Sequence, residues 1–171
     1  MSEPSKAIDP SNSERSSAPQ QPVSWGKQIV SQPLIWWVAG VSLLFFACSS
    51  AKHLLFQSTA FDLGIYDQVV YLMSRGLPPI SSFLGFHHMG NHAAFSVYPL
   101  AVLYWLYPSV HWLLAVQAIC LAAAAIPVWE LARQAGLSRS LSWAMVVAYW
   151  LYPVVFNVNL FDFHPEVMAI P

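Results

Sequence analysis

Three long apolar stretches dominate the pattern of the chain. The first begins at Leu34, runs LIWWVAGVSLLFFACSSA, and meets Lys52 and His53 near its end. A helix needs about 20 predominantly apolar residues to cross a bilayer, so residues 34–56 read as a span. Trp36 and Trp37 suit one interface, and Lys52 can snorkel to the other. The second stretch covers residues 110–131 and contains Gln117, Pro127 and a run of alanines from Ala122 to Ala125. Such small residues allow close helix packing in lipid. The third covers residues 141–161, with Pro153, Asn157 and Asn159 late in it. Residues 167–171 open a further apolar segment. A fourth run, Ala93 to Tyr107, is shorter. At about 1.5 Å per residue it reaches roughly 22 Å, less than the roughly 30 Å hydrocarbon core. Pro99 interrupts it, and Tyr104, Trp105 and Tyr107 crowd its end, so it reads either as a short span or as a juxtamembrane segment lying in the interface.

Charge decides between the two arrangements this leaves. If residues 93–107 do not cross, Lys6, Arg15, Lys27, Arg133 and Arg139 share one side, and only Lys52 and Arg75 lie on the other. If they cross, Arg133 and Arg139 change sides and the bias reverses. The positive-inside rule favours the first arrangement, with the N-terminus cytoplasmic. All six histidines then fall outside, with Asp62, Asp67, Asp162 and Glu166. Glu130 stays near the inner face, where a pair with Arg133 at i,i+3 is expected.

Composition agrees with membrane insertion. Hydrophobic residues make up 57% of the chain and charged residues 9%, against about 25% charged in soluble domains. The expected fold is all-α: a polytopic helical membrane protein with three full transmembrane helices, the start of a fourth, and juxtamembrane helices in the first outer loop, residues 57–109. Residues 1–33 are rich in Ser, Pro and Gln and read as a disordered cytoplasmic tail. They are too long and too acidic for the n-region of a signal peptide. A net charge of −1 gives no electrostatic case for nucleic acid. Cys48 and Cys120 both sit in apolar runs, which offers neither a disulfide framework nor a CxxC site.

Three constellations could carry chemistry. In FDLGIYDQ, residues 61–68, a short amphipathic helix starts, with Tyr66, Val69, Val70 and Met73 on one face and Asp67, Tyr71 and Ser74 on the other. Arg75-Gly76 supplies its stop. Asp62 is either a helix cap or a working carboxylate, and Asp67 either a solvated position or a second candidate. Five residues apart, they sit about 140° from one another around a helix, so one working carboxylate fits better than a dyad. In HHMGNH, residues 87–92, His88 and His92 would share a face if helical and could hold a metal. The alternative is a set of interfacial histidines. In DFHPE, residues 162–166, three ionisable groups follow an apolar helix directly. Such groups at membrane depth point to function, against the alternative of a polar loop meeting water.

At these motifs, and at YPLAVLYWLYPS (98–109), the chain resembles a bacterial family of predicted membrane proteins known as domain of unknown function 2079. The resemblance runs from about Phe61 to the end. That family in turn resembles the GT-C class of integral membrane glycosyltransferases, which take a sugar from a polyprenyl-phosphate donor. The resemblance implies a bacterial inner-membrane location and a first outer loop holding an acidic catalytic base. Asp62 would be the first candidate base and Asp67 the second. Gln68, Asp162, His164 and Glu166 would contact substrate or support the base. A divalent metal, where one is used, would fall to His88, His92, His164 or Glu166. GT-C enzymes have many more spans, so these residues are expected to form the N-terminal part of such a protein, inactive by itself. The competing reading is a non-catalytic membrane module, a transporter piece or an assembly protein whose histidines bind metal or a partner.

Overall fold

The computed structural model describes residues 33–91 and 94–171. The expected tail, except Pro33, and the expected metal ligand His92 lie outside the described residues. Among the described residues there are seven α-helices: α1, Leu34–Leu54; α2, Ile65–Ser74; α3, Leu100–Leu106; α4, His111–Ala123; α5, Ala125–Gln134; α6, Arg139–Trp150; and α7, Pro153–Phe161. No strand occurs among the described residues, apart from an isolated bridge between Ile80 and His87.

The helices combine into three elements long and apolar enough to cross a membrane: Leu34–Leu54, His111–Gln134 and Arg139–Phe161. Prolines explain the two internal breaks. Pro127 has no N–H to donate and its ring crowds the carbonyl of Ala123, so the second element breaks at Ala124, between α4 and α5. Tyr149 Oη and Trp150 Nε1 donate to the carbonyls of Leu121 and Ala122 beside this break, at 2.9 and 3.1 Å. In lipid such carbonyls have no water to turn to. Pro153 starts α7 and separates it from α6 by the same logic.

The second element is the centre of the bundle. Half of its apolar window is buried, against 17% and 22% for the other two. α1 packs along α4, while α5 and α6 form a tight hairpin. Gly136, at φ 79°, closes the last turn of α5, and the Ser138 hydroxyl accepts from the Leu141 N–H to start α6. The expected Glu130–Arg133 pair does not form. Arg133 instead donates to the carbonyl of Leu137, in the loop between α5 and α6, at 2.6 Å.

Three contacts fix which ends meet. The Lys52 ammonium at the end of α1 lies 3.4 Å from the Asp162 carboxylate after α7. The rings of His53 and His111 stand edge-to-face, 5.6 Å apart, joining the end of α1 to the start of α4. Gln117 in α4 reaches the Asp162 carbonyl at 2.7 Å. The chain from residue 55 to residue 110 therefore leaves and returns at one end of the bundle. The apolar run before α4 contributes only a single turn, Phe95–Val97, and the seven-residue helix α3. α3 packs against α2 rather than along a spanning helix, and Leu63, Tyr66, Val70, Leu100, Tyr104 and Phe163 form the core at this end.

Candidate functional site

The segment before α2 is a π-helical turn, Ala60–Gly64, a rare form that occurs frequently at functional sites. It carries Asp62. The N-cap of this turn is Thr59 and that of α2 is Gly64, and neither helix start has a side-chain cap bond, so Asp62 is not in the capping role. α2 then buries Ile65, Tyr66, Val69 and Val70 and stops at Arg75 and Gly76, the latter at φ 69°. The amphipathic pattern of this segment is thus realised, with Met73 packed on the same core.

Asp62 faces a polar cavity of about 290 Å³, lined also by Tyr66, Asn91, His164 and Glu166. Neither carboxylate, Asp62 nor Glu166, takes a hydrogen bond from the described residues. The buried Nδ1 of His164 has no hydrogen-bond partner among the described residues. The Tyr66 phenol is pushed up to about 12, first by burial and then by the charges of Glu166 and Asp62. It remains a neutral hydrogen-bond donor at physiological pH. His164 and Glu166 also border an apolar groove of about 590 Å³, formed with Val154, Val158, Phe161 and Ile170. The polar cavity and the apolar groove therefore share a wall.

The remaining candidates lie elsewhere. Asp67 accepts a 2.6 Å hydrogen bond from Tyr104 Oη. Burial first, and then this bond, raise the Tyr104 phenol well above its ordinary range. Asp67 is thus engaged in joining α2 to α3. Gln68 Oε1 accepts from Ser81 Oγ, Ser82 N and Ser82 Oγ at 3.2, 2.9 and 3.1 Å, which pins the following loop to α2. Asp162 is buried. One carboxylate oxygen accepts from the Thr59 N–H and hydroxyl at 2.8 and 2.7 Å, and the other faces Lys52. It does not line the cavity.

His88–Gly90 is a single 3-10 turn after an extended His87, and His92 lies outside the described residues. Gly90 sits against the Phe86 ring, 3.2 Å from where a Cβ would be. His88 is buried, with its ring 6.4 Å from that of Tyr66. No group of three His, Cys, Asp or Glu side chains that could hold a metal comes together among the described residues. Sequence reasoning missed Tyr66 as a cavity wall, Asn91, and the roles of Lys52, Thr59 and Gln117. Only Gln117 carried a signal, as a polar residue inside an apolar span.

Three spanning helices with an elaborated loop gathered at one end define a multi-pass helical membrane protein. The chain belongs to the family described as "Predicted membrane protein (DUF2079)", whose model matches residues 52–171. Neither the curated proteins nor the solved structures include a match to it.

Proposed function

We propose that the chain is part of a bacterial plasma-membrane glycosyltransferase that takes its sugar from a polyprenyl-phosphate donor. The N-terminus lies in the cytoplasm in this reading, and the cavity opens on the outer side. One observation carries it: the unbonded Asp62 carboxylate lies in a polar cavity whose walls His164 and Glu166 also border an apolar groove. A lipid-linked sugar is an amphiphile and needs polar and apolar surfaces side by side. The cavity suits the head and the groove suits the first part of the chain.

Asp62 serves as the base in this scheme. It accepts the proton of an acceptor hydroxyl as that oxygen bonds to the anomeric carbon. The bond from that carbon to the phosphate oxygen breaks, and polyprenyl phosphate leaves with the electron pair. Tyr66, His164 and Glu166 orient the head group.

The test supplies membranes containing the full-length protein with labelled polyprenyl-phosphate hexoses and a pool of membrane acceptors. Protein-dependent release of polyprenyl phosphate, with label passing to an acceptor, is the expected result. Folded, correctly inserted protein that releases none from any polyprenyl-phosphate sugar would contradict the reading.

A further inference from the structure

We infer that Gln117, two turns into a membrane-spanning element, is the positioning residue that aims His164 and Glu166 into the cavity opposite Asp62. The inference rests on reading that cavity as the reacting site. Gln117 is completely buried, and both ends of its amide are used. Nε2 donates to the carbonyls of Asp162, Val158 and Asn159 at 2.7, 3.1 and 3.4 Å. Oε1 accepts from the His164 N–H at 2.9 Å. One side chain thus holds both sides of the turn between α7 and the segment bearing Glu166.

The turn needs such a clamp. The last carbonyls of a helix lack partners within it, and in lipid no water replaces them. Val158 and Asn159 supply two of those carbonyls, and the chain after them does not close in the usual glycine turn. Asp162 instead adopts φ 117° and ψ −174°, a conformation kept almost entirely to glycine. A side chain from a neighbouring helix therefore closes this end. The backbone reversal at Asp162 is what turns His164 and Glu166 back toward α2. Lys52 and Thr59 hold the Asp162 side chain, while Gln117 holds its backbone.

Cross-linking tests this without any sugar donor. The full chain, with Cys48 and Cys120 changed to Ala, carries Asp62→Cys and Glu166→Cys and is treated with a short bifunctional thiol reagent in bilayers. A second protein carries His53→Cys and His111→Cys as a control pair at the same end of the bundle. Gln117→Met, which keeps length and apolar bulk but no hydrogen bonds, should slow the site cross-link about tenfold, as loss of an anchoring bond would. The control pair should react as before. Equal site cross-linking with and without the substitution would overturn the inference. Loss of both cross-links would overturn it too, because Gln117 would then hold the bundle generally. A normal dependence on Gln117 in a protein that transfers no sugar would count against the glycosyltransferase reading alone.

Discussion

Asp62→Asn in the full-length protein is expected to lower sugar transfer by about 10²- to 10⁴-fold, the usual contribution of a positioned general base. Asn has the same shape but cannot take the acceptor's proton. The Asp62 carboxylate accepts no hydrogen bond from the described residues, so the substitution breaks nothing that holds the fold. Insertion and thermal stability should be unchanged. Asp67→Asn should behave in the opposite way. It exchanges a charge-assisted bond from Tyr104 for a neutral one and costs about 1 kcal/mol of stability while transfer persists. Initial rates and melting temperatures for the two variants separate these outcomes. Loss of transfer in Asp67→Asn, with Asp62→Asn active, would move the base to Asp67.

The largest stability effect is expected at Asp162. Removing one partner of a buried ion pair costs about 3–5 kcal/mol, because the other charge stays buried and unpaired. Lys52→Met should fall at or below the bottom of that range, about 2–3 kcal/mol. Lys52 is 24% exposed, and the 3.4 Å contact is long. The Thr59 N–H and hydroxyl also continue to satisfy one carboxylate oxygen. Asp162→Ala should be worse than Asp162→Gly. Both remove the ion pair and strand the Thr59 N–H, but alanine must also hold φ 117°, which costs a further amount of about 1–3 kcal/mol. Unfolding in detergent should rank wild type, Gly and Ala in that order. Equal stability of Gly and Ala would mean that the turn does not impose this backbone conformation.

The spans were legible in the sequence because membrane insertion depends on the length and continuity of apolar runs, and both are local properties. The breaks before Pro127 and Pro153 were not part of that reading, which took each run as one continuous span, although proline acts on its own helix turn. Asp62 and Glu166 stood out as ionisable groups beside apolar runs, and the structure places both on one cavity. What each carboxylate does there was not legible. Asp162 is held by Lys52 and Thr59, more than a hundred positions away, and Asp67 by Tyr104, in a different helix. No local pattern distinguishes an acid already bonded by a distant partner from one left facing a cavity. The pairing of Glu130 with Arg133 went wrong at a helix end, where a loop carbonyl four residues ahead competed better for the guanidinium. Gln117 read as an interruption in an apolar run, because its four partners lie more than forty residues downstream.

For Asp62 and Glu166 to share one site, both must lie on one side of the membrane, opposite the hairpin loop at Ser138. Single cysteines at these three positions, in a chain lacking Cys48 and Cys120, can be labelled with an impermeant maleimide in intact cells and in inverted vesicles. Positions 62 and 166 should react in intact cells, and position 138 only in inverted vesicles. Labelling of 62 and 166 from opposite faces, or of 138 from the same face as 62, would contradict the account.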